Sequence, residues 1–193
     1  MNNLFFFFLY YYLNDFGALV ESLPKVRPTV FFSVPRFYEK LWEQIEGNPL
    51  GKRYLSMSDG VARRLLGRIL KTGVLKKAGL DRCSQLIVGS APMSEELLRR
   101  FRHLGIEIHN AYGQTEAPLI TINRLGDNVI PSIGTPLPDT DVIVGDDGEL
   151  LVKGPQVALG YYNLPSETFR DGMLYTGDLG EADSSNHIYI RGR

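Results

Sequence analysis

Residues 85–116 read QLIVGSAPMSEELLRRFRHLGIEIHNAYGQTE, and their order decides the fold class. Gln85 to Val88 is a short apolar run of strand character, followed by a tight loop, Gly89-Ser90-Ala91-Pro92. Ser94 is a good helix N-cap, and Glu95 and Glu96 follow it in the first turn, where the helix dipole favours acids. The spacing predicts a helix to about His103 that stops at Gly105, and then a second strand over residues 106–112. A helix between two strands delivers them parallel. The loops at 89–92 and 113–116 then open at the same edge, the carboxyl end of a parallel sheet, where open α/β sheets bind ligands.

Upstream, residues 27–35, RPTVFFSVP, form a short β-branched and aromatic run bracketed by Pro, expected as a fully buried parallel strand. Residues 36–46 follow with Phe37, Tyr38, Leu41, Trp42 and Ile45 at helical spacing, ended by Gly47, Asn48 and Pro49. Residues 60–79 predict a basic amphipathic helix interrupted by Gly67 and Gly73, with Val61, Leu65, Leu66, Ile69 and Leu70 on one face. Such a helix packs as an ordinary surface element, or lies peripherally on an anionic membrane. After about residue 128 the pattern turns to short, Gly- and Pro-punctuated strands, with a hairpin signal at Gly145-Asp146-Asp147-Gly148. The expected fold is α/β: part of a parallel-sheet α/β subdomain over residues 14–128, then a β-rich, distorted-barrel subdomain over 129–193.

The 193 residues, 44% hydrophobic and 22% charged, are long enough to bury a core and exclude collagen-like and low-complexity classes. Seven of the 21 aromatics fall in residues 1–13, MNNLFFFFLYYYL. Its apolar run, residues 4–13, is too short to span a bilayer, which takes about 20 residues. It also lacks the basic start and small-residue cleavage site of a secretory signal. This tail is left unplaced, as a buried strand, an interfacial anchor or a junction. The single Cys83 excludes an intramolecular disulfide and fits a reducing, cytoplasmic setting. Net charge is −1 but uneven: residues 52–102 carry +8 and residues 103–193 carry −8. A polyanionic ligand beside the basic half, or a solvated helix face, accounts for the asymmetry.

Asn110-Ala111-Tyr112-Gly113-Gln114-Thr115-Glu116 presents a hydroxyl and a carboxylate on a glycine-bearing turn. Backbone amides and a Thr hydroxyl can approach phosphate oxygens there, and a Glu can hold Mg²⁺, which prefers carboxylate oxygen. A capped turn with a surface Glu is the plain alternative.

Several motifs in order resemble the AMP-forming adenylating enzymes, which include acyl-CoA synthetases. GSAPMS at 89–94 is similar to the adenine-loop motif, and NAYGQTEAP at 110–118 to the central Tyr-Gly-x-Thr-Glu motif. GELLVKGPQVALGYYN at 148–163 resembles the glycine-rich strand motif, YTGDLG at 175–180 the ribose-binding motif, and Gly192-Arg193 the hinge. RPTVFFSVPRFYEKLWEQI is most similar to long-chain fatty acyl-CoA synthetases. The resemblance implies that Gly89, Ser90, Ala91, Asn110, Ala111 and Tyr112 enclose adenine, with Gly113 and Gln114 in the same nucleotide-binding segment. It implies that Thr115 hydrogen-bonds the AMP phosphate, Glu116 ligates Mg²⁺, and Asp178, completed by Arg193, holds the ribose hydroxyls. Phe31 would line the acyl tunnel, although its own chemistry equally suits a buried strand.

The implied reaction activates a fatty acid with ATP to acyl-AMP and passes the acyl group to CoA; no nucleic-acid partner is implied. The family's Ser/Thr/Gly-rich phosphate loop and its C-terminal lid have no counterpart here, so an internal segment or a truncated product is expected, inactive by itself. A non-catalytic remnant keeping the AMP pocket, or an enzyme with a carrier-protein acceptor, remain as alternatives.

Overall fold

A computed structural model describes residues 18–193; the apolar tail at 1–13 lies outside the described residues. The elements run α1 (Leu19–Val26), β1 (Val30–Ser33), α2 (Pro35–Gly47), α3 (Pro49–Ser56), α4 (Val61–Lys77), β2 (Gln85–Val88), α5 (Glu95–His103), β3 (Ile108–Gln114) and β4 (Ala117–Ile122). They continue with β5 (Thr135–Pro136), β6 (Asp141–Val144), β7 (Glu149–Lys153), β8 (Phe169–Arg170), β9 (Met173–Ala182) and β10 (Ile188–Gly192). The first sheet has the order β1-β2-β3-β4-β5, and the second the order β10-β9-β7-β6 with β8 paired to β9. β1, β2 and β3 are parallel. β4 and β5 then continue antiparallel, and the second sheet is antiparallel throughout. The chain is thus mixed α/β, with a parallel-strand sheet and a separate antiparallel one. The change of character near residue 128 falls between β4 and β5.

The β2–α5–β3 unit forms for the reasons its sequence suggests. The Ser94 side chain accepts from Leu97 N, Glu95 and Glu96 occupy the first turn, and Gly105 takes φ +81° just past the helix. One face of the parallel sheet, carrying Phe31, Leu86, Val88 and Ile108, packs in a single core with Tyr38, Leu41, Trp42 and Ile45 of α2 and Leu98 and Phe101 of α5. Burying each such side chain contributes roughly 1.5–3 kcal/mol. The Tyr38 ring meets Phe101 edge-on, and its hydroxyl donates to Ile87 O at 2.9 Å, so the polar tip costs nothing to bury.

Four details depart from the sequence expectations. The β1 strand is not fully buried: Phe31 and Ser33 point into the core, whereas Val30 (54% exposed) and Phe32 (53%) face outward. Phe31 packs against Phe37 with ring centroids 4.9 Å apart and ring planes tilted by 59°, the setting of a buried strand residue. Pro49 ends nothing; it is the first residue of α3, with the Asn48 side chain accepting from Leu50 N as its cap. In α4 the expected apolar face is split: Leu66 and Leu70 join the core, while Val61, Leu65 and Ile69 point to solvent. The helix runs unbroken through Gly67, which is buried because a Cβ there would lie 3.1 Å from the Tyr54 ring.

A second, smaller core joins Ala117 and Ile120 of β4 to Val152 of β7 and Leu174 of β9. The backbone also ties the two sheets together, because Ile133 N donates to Ile188 O and Ile188 N to Gly134 O. The carboxyl ends of β2 and β3 are thereby held against β9 and β10.

Candidate functional site

A cleft of about 1370 Å³ lies where these ends meet. Its wall includes the loop after β2 (Ser90 to Met93), the end of β3 and its turn (Asn110 to Glu116), and Asp178 and Arg193 from the second sheet. Eleven of the twelve residues picked out from the sequence line it: Ser90, Ala91, Asn110, Ala111, Tyr112, Gly113, Gln114, Thr115, Glu116, Asp178 and Arg193. Gly89 does not. It sits buried beneath the wall, where a Cβ would meet the Phe32 ring at 2.9 Å and Ala111 O at 3.0 Å.

The expected loop at 113–116 is tighter than a loop. β3 runs on through Gln114, which pairs with Ala117, so Thr115 and Glu116 form the tip of a β3–β4 hairpin with a bulge between Tyr112 and Gln114. Gly113 makes that bulge feasible: a Cβ would lie 2.3 Å from Pro118 O and 2.8 Å from Ala117 O. Glycine is needed here for close approach of two backbones, and the hydroxyl and carboxylate are presented on the result. Ser90 adopts φ +65°, a left-handed conformation that turns the β2 loop toward the cleft at modest cost.

At one side of the cleft, Asp178 is held from two directions. Tyr112 Oη donates to its Oδ2 at 2.7 Å, and Arg193 Nε lies 3.3 Å from its Oδ1. Asp178 N donates to Thr176 Oγ1 at 3.1 Å, and Gly177 N to Glu149 Oε1 at 2.7 Å, so the turn carrying the carboxylate is fixed through its backbone. Burial, and then the hydrogen bond to Asp178, push the Tyr112 phenol well above the usual tyrosine range, so it remains a donor. At the other group, Tyr161 Oη donates to Glu116 Oε1 in a short contact, and Ala158 N donates to Glu116 O at 2.7 Å. That hydrogen bond, followed by burial, raises the Tyr161 phenol as well. Thr115 is exposed at the hairpin tip with its hydroxyl free of any protein partner among the described residues.

Sequence reasoning missed Tyr161 and Glu149, although both lie inside the glycine-rich motif at 148–163. The motif's glycines carry a backbone signal, whereas a tyrosine 45 residues from the carboxylate it touches carries none. Arg191 also reaches the cleft wall, but its charge is taken by Glu181.

The model of the AMP-binding enzyme family matches residues 11–162. The match ends before Asp178 and Arg193, whose place at the site therefore rests on geometry. Among curated relatives, the long-chain-fatty-acid–CoA ligase ACSBG2 of Gallus gallus is 32% identical over 92% of this chain and 27% of its own length. FadD15 of Mycobacterium bovis, another long-chain-fatty-acid–CoA ligase, is 30% identical over 94% of this chain and 34% of its own. Among solved structures, ATP-bound MatB from Rhodopseudomonas palustris superposes with a TM-score of 0.68 at 28% identity, covering 93% of this chain and 33% of that one. The o-succinylbenzoate CoA synthetase of Bacillus subtilis with its acyl-adenylate intermediate gives 0.65 at 22% identity, over 90% and 33%, a likeness of fold. The chain spans about a third of the length of these relatives. On the family match and these likenesses together, the chain belongs to the AMP-binding enzymes.

Proposed function

We propose that this chain forms the nucleotide-binding part of an AMP-forming acyl-CoA ligase whose acid is a long-chain fatty acid. In that reaction a carboxylate oxygen attacks the α-phosphorus of ATP, pyrophosphate leaves, and the thiol of CoA then displaces AMP from the acyl-adenylate. The observation that carries the reading is Asp178, a carboxylate fixed in the wall of the cleft that also carries Thr115 and Glu116. A carboxylate offers about four acceptor positions. Tyr112 and Arg193 take two, which leaves two for the adjacent hydroxyls of a ribose. Ser90, Ala91, Asn110 and Ala111 then form the adenine side, with Gly89 beneath them, and Thr115 donates to a phosphate oxygen where charge develops in the transition state. The protein's work in this step is positioning and charge neutralisation. The preference for long-chain acids is supported by the fatty-acid ligases among the relatives.

The residues present also suit Mg²⁺. The cleft wall carries Glu116, Glu149, Glu167 and Asp178 against Arg191 and Arg193, so a polyphosphate would enter a lining that is itself net negative. Tyr161 occupies one Glu116 oxygen and leaves the other for a hard cation. Such an ion would be held by this one carboxylate together with phosphate oxygens and water. When bound, Mg²⁺ would act as Lewis acid and clamp on the phosphates.

The test is calorimetric titration of the chain with stable acyl-adenylate analogues carrying palmitoyl, octanoyl and acetyl groups in turn. The reading predicts saturable binding that depends on the acyl group and is tightest with the palmitoyl analogue. Binding indifferent to the acyl group, or tightest with acetyl, contradicts it.

A further inference from the structure

The outward side of α4 has no role in the cleft. It exposes three aliphatic side chains at successive turns: Val61 (72% exposed), Leu65 (54%) and Ile69 (64%). At 100° per residue, Arg64, Arg68, Thr72 and Lys76 share the same half of the helix circumference. The opposite side is already used, since Leu66, Leu70 and Val74 pack into the main core, which Leu75 also joins at the end of the helix. The helix contains no acidic residue. Among the described residues Arg64, Arg68, Lys76 and Lys77 form no ion pair, and Arg63 alone is paired, with Asp59. Residues 52–77 carry eight Lys or Arg and one Asp.

We infer that α4 is a peripheral docking helix for an anionic lipid bilayer, with Val61, Leu65 and Ile69 entering the interface and Arg64, Arg68 and Lys76 meeting lipid phosphates. Charge complementarity supplies the attraction, and interleaved aliphatic side chains distinguish a lipid surface from a nucleic acid, which gains nothing from exposed Leu and Ile. No described helix is long and apolar enough to cross a membrane, so the contact is one of lying on the surface. The inference stands apart from the catalytic reading, because no residue of the outward face lines the cleft.

The experiment is vesicle flotation of the full chain, using phosphatidylcholine alone and phosphatidylcholine with about one third phosphatidylserine, the anionic lipid whose surface potential such helices sense. Binding is expected only to the anionic vesicles, and it should fall steeply between about 0.1 and about 0.5 M salt. Each cation at the surface is worth about fivefold in partitioning, so Arg64→Gln with Arg68→Gln should weaken binding about 25-fold. Leu65→Ser with Ile69→Ser should weaken it more than tenfold, a loss of roughly the apolar burial of two side chains. Both pairs are exposed, and an unchanged circular-dichroism melt establishes that the variants fold. Removing residues 1–13 should leave the binding in place. Equal binding to neutral vesicles, insensitivity to either pair of substitutions, loss of binding with the tail, or a concentration-dependent dimer that hides the helix from lipid would each overturn the inference.

Discussion

Tyr112→Phe removes one oxygen and leaves the ring in place, which isolates the bond that orients Asp178. The bond is 2.7 Å long, its acceptor is a carboxylate oxygen, and the Asp178 side chain is only 14% exposed. Hydrogen bonds to charged groups contribute about 1.5–3 kcal/mol. The acceptor keeps its contact to Arg193, which is 76% exposed and worth at most about 1 kcal/mol. The expected loss is therefore about 1.5 kcal/mol, equivalent to about 3–6 °C in Tm for a chain of this size. Urea unfolding at neutral pH, followed by Trp42 fluorescence, measures it directly. The pH dependence adds an independent check. The phenol is raised above its unfolded value, so its contribution is fully present below the ordinary tyrosine range near pH 10 and is lost as pH rises through the folded value. The stability gap between the native chain and Tyr112→Phe should thus be constant from pH 6 to about pH 9 and shrink above about pH 10. A gap below about 0.3 kcal/mol at neutral pH, or one that widens in alkali, would refute the reasoning.

Gly113→Ala drives a methyl into Pro118 O and should destabilise by about 2–3 kcal/mol, checked by the same unfolding curve. The variant should also lose nucleotide binding, since the displaced hairpin carries Thr115 and Glu116. Tyr161→Phe frees an exposed carboxylate and should leave Tm unchanged within about 2 °C while altering the Mg²⁺ dependence of nucleotide binding, read by titration calorimetry. Ser94→Ala deletes the α5 cap and should cost about 1 kcal/mol in urea unfolding, with AMP affinity unchanged.

The β2–α5–β3 unit was readable because its signals are local: a serine cap, two acids in the first turn, and a glycine past the last. The clustering of Ser90 and Thr115 was readable because parallel strands end at one sheet edge, whereas Asp178 comes from β9 of the second sheet and was reached only through the motif resemblance. What escaped depends on neighbours. Pro49 after Asn48 stops one helix or starts the next, and the choice turned on a cap that only the folded backbone reveals. Both apolar stripes of α4 have helical spacing, so periodicity could not tell that Leu66 and Leu70, rather than Leu65 and Ile69, meet the core. Phe31 and Phe32 are chemically identical, and only their alternation on an edge strand separates a core ring from an outward one. The Tyr161–Glu116 contact joins two side chains whose partnership no spacing encodes.

The central claim is that Asp178, steadied by Tyr112 and Arg193, receives the ribose of AMP. Calorimetric titration of the chain with AMP, before and after Asp178→Asn, tests it most directly. The claim predicts saturable one-to-one binding that weakens about 10- to 100-fold in the variant, the loss of one or two charge-assisted hydrogen bonds. Binding of equal strength in both proteins would contradict it, as would a native chain that does not take up AMP at all.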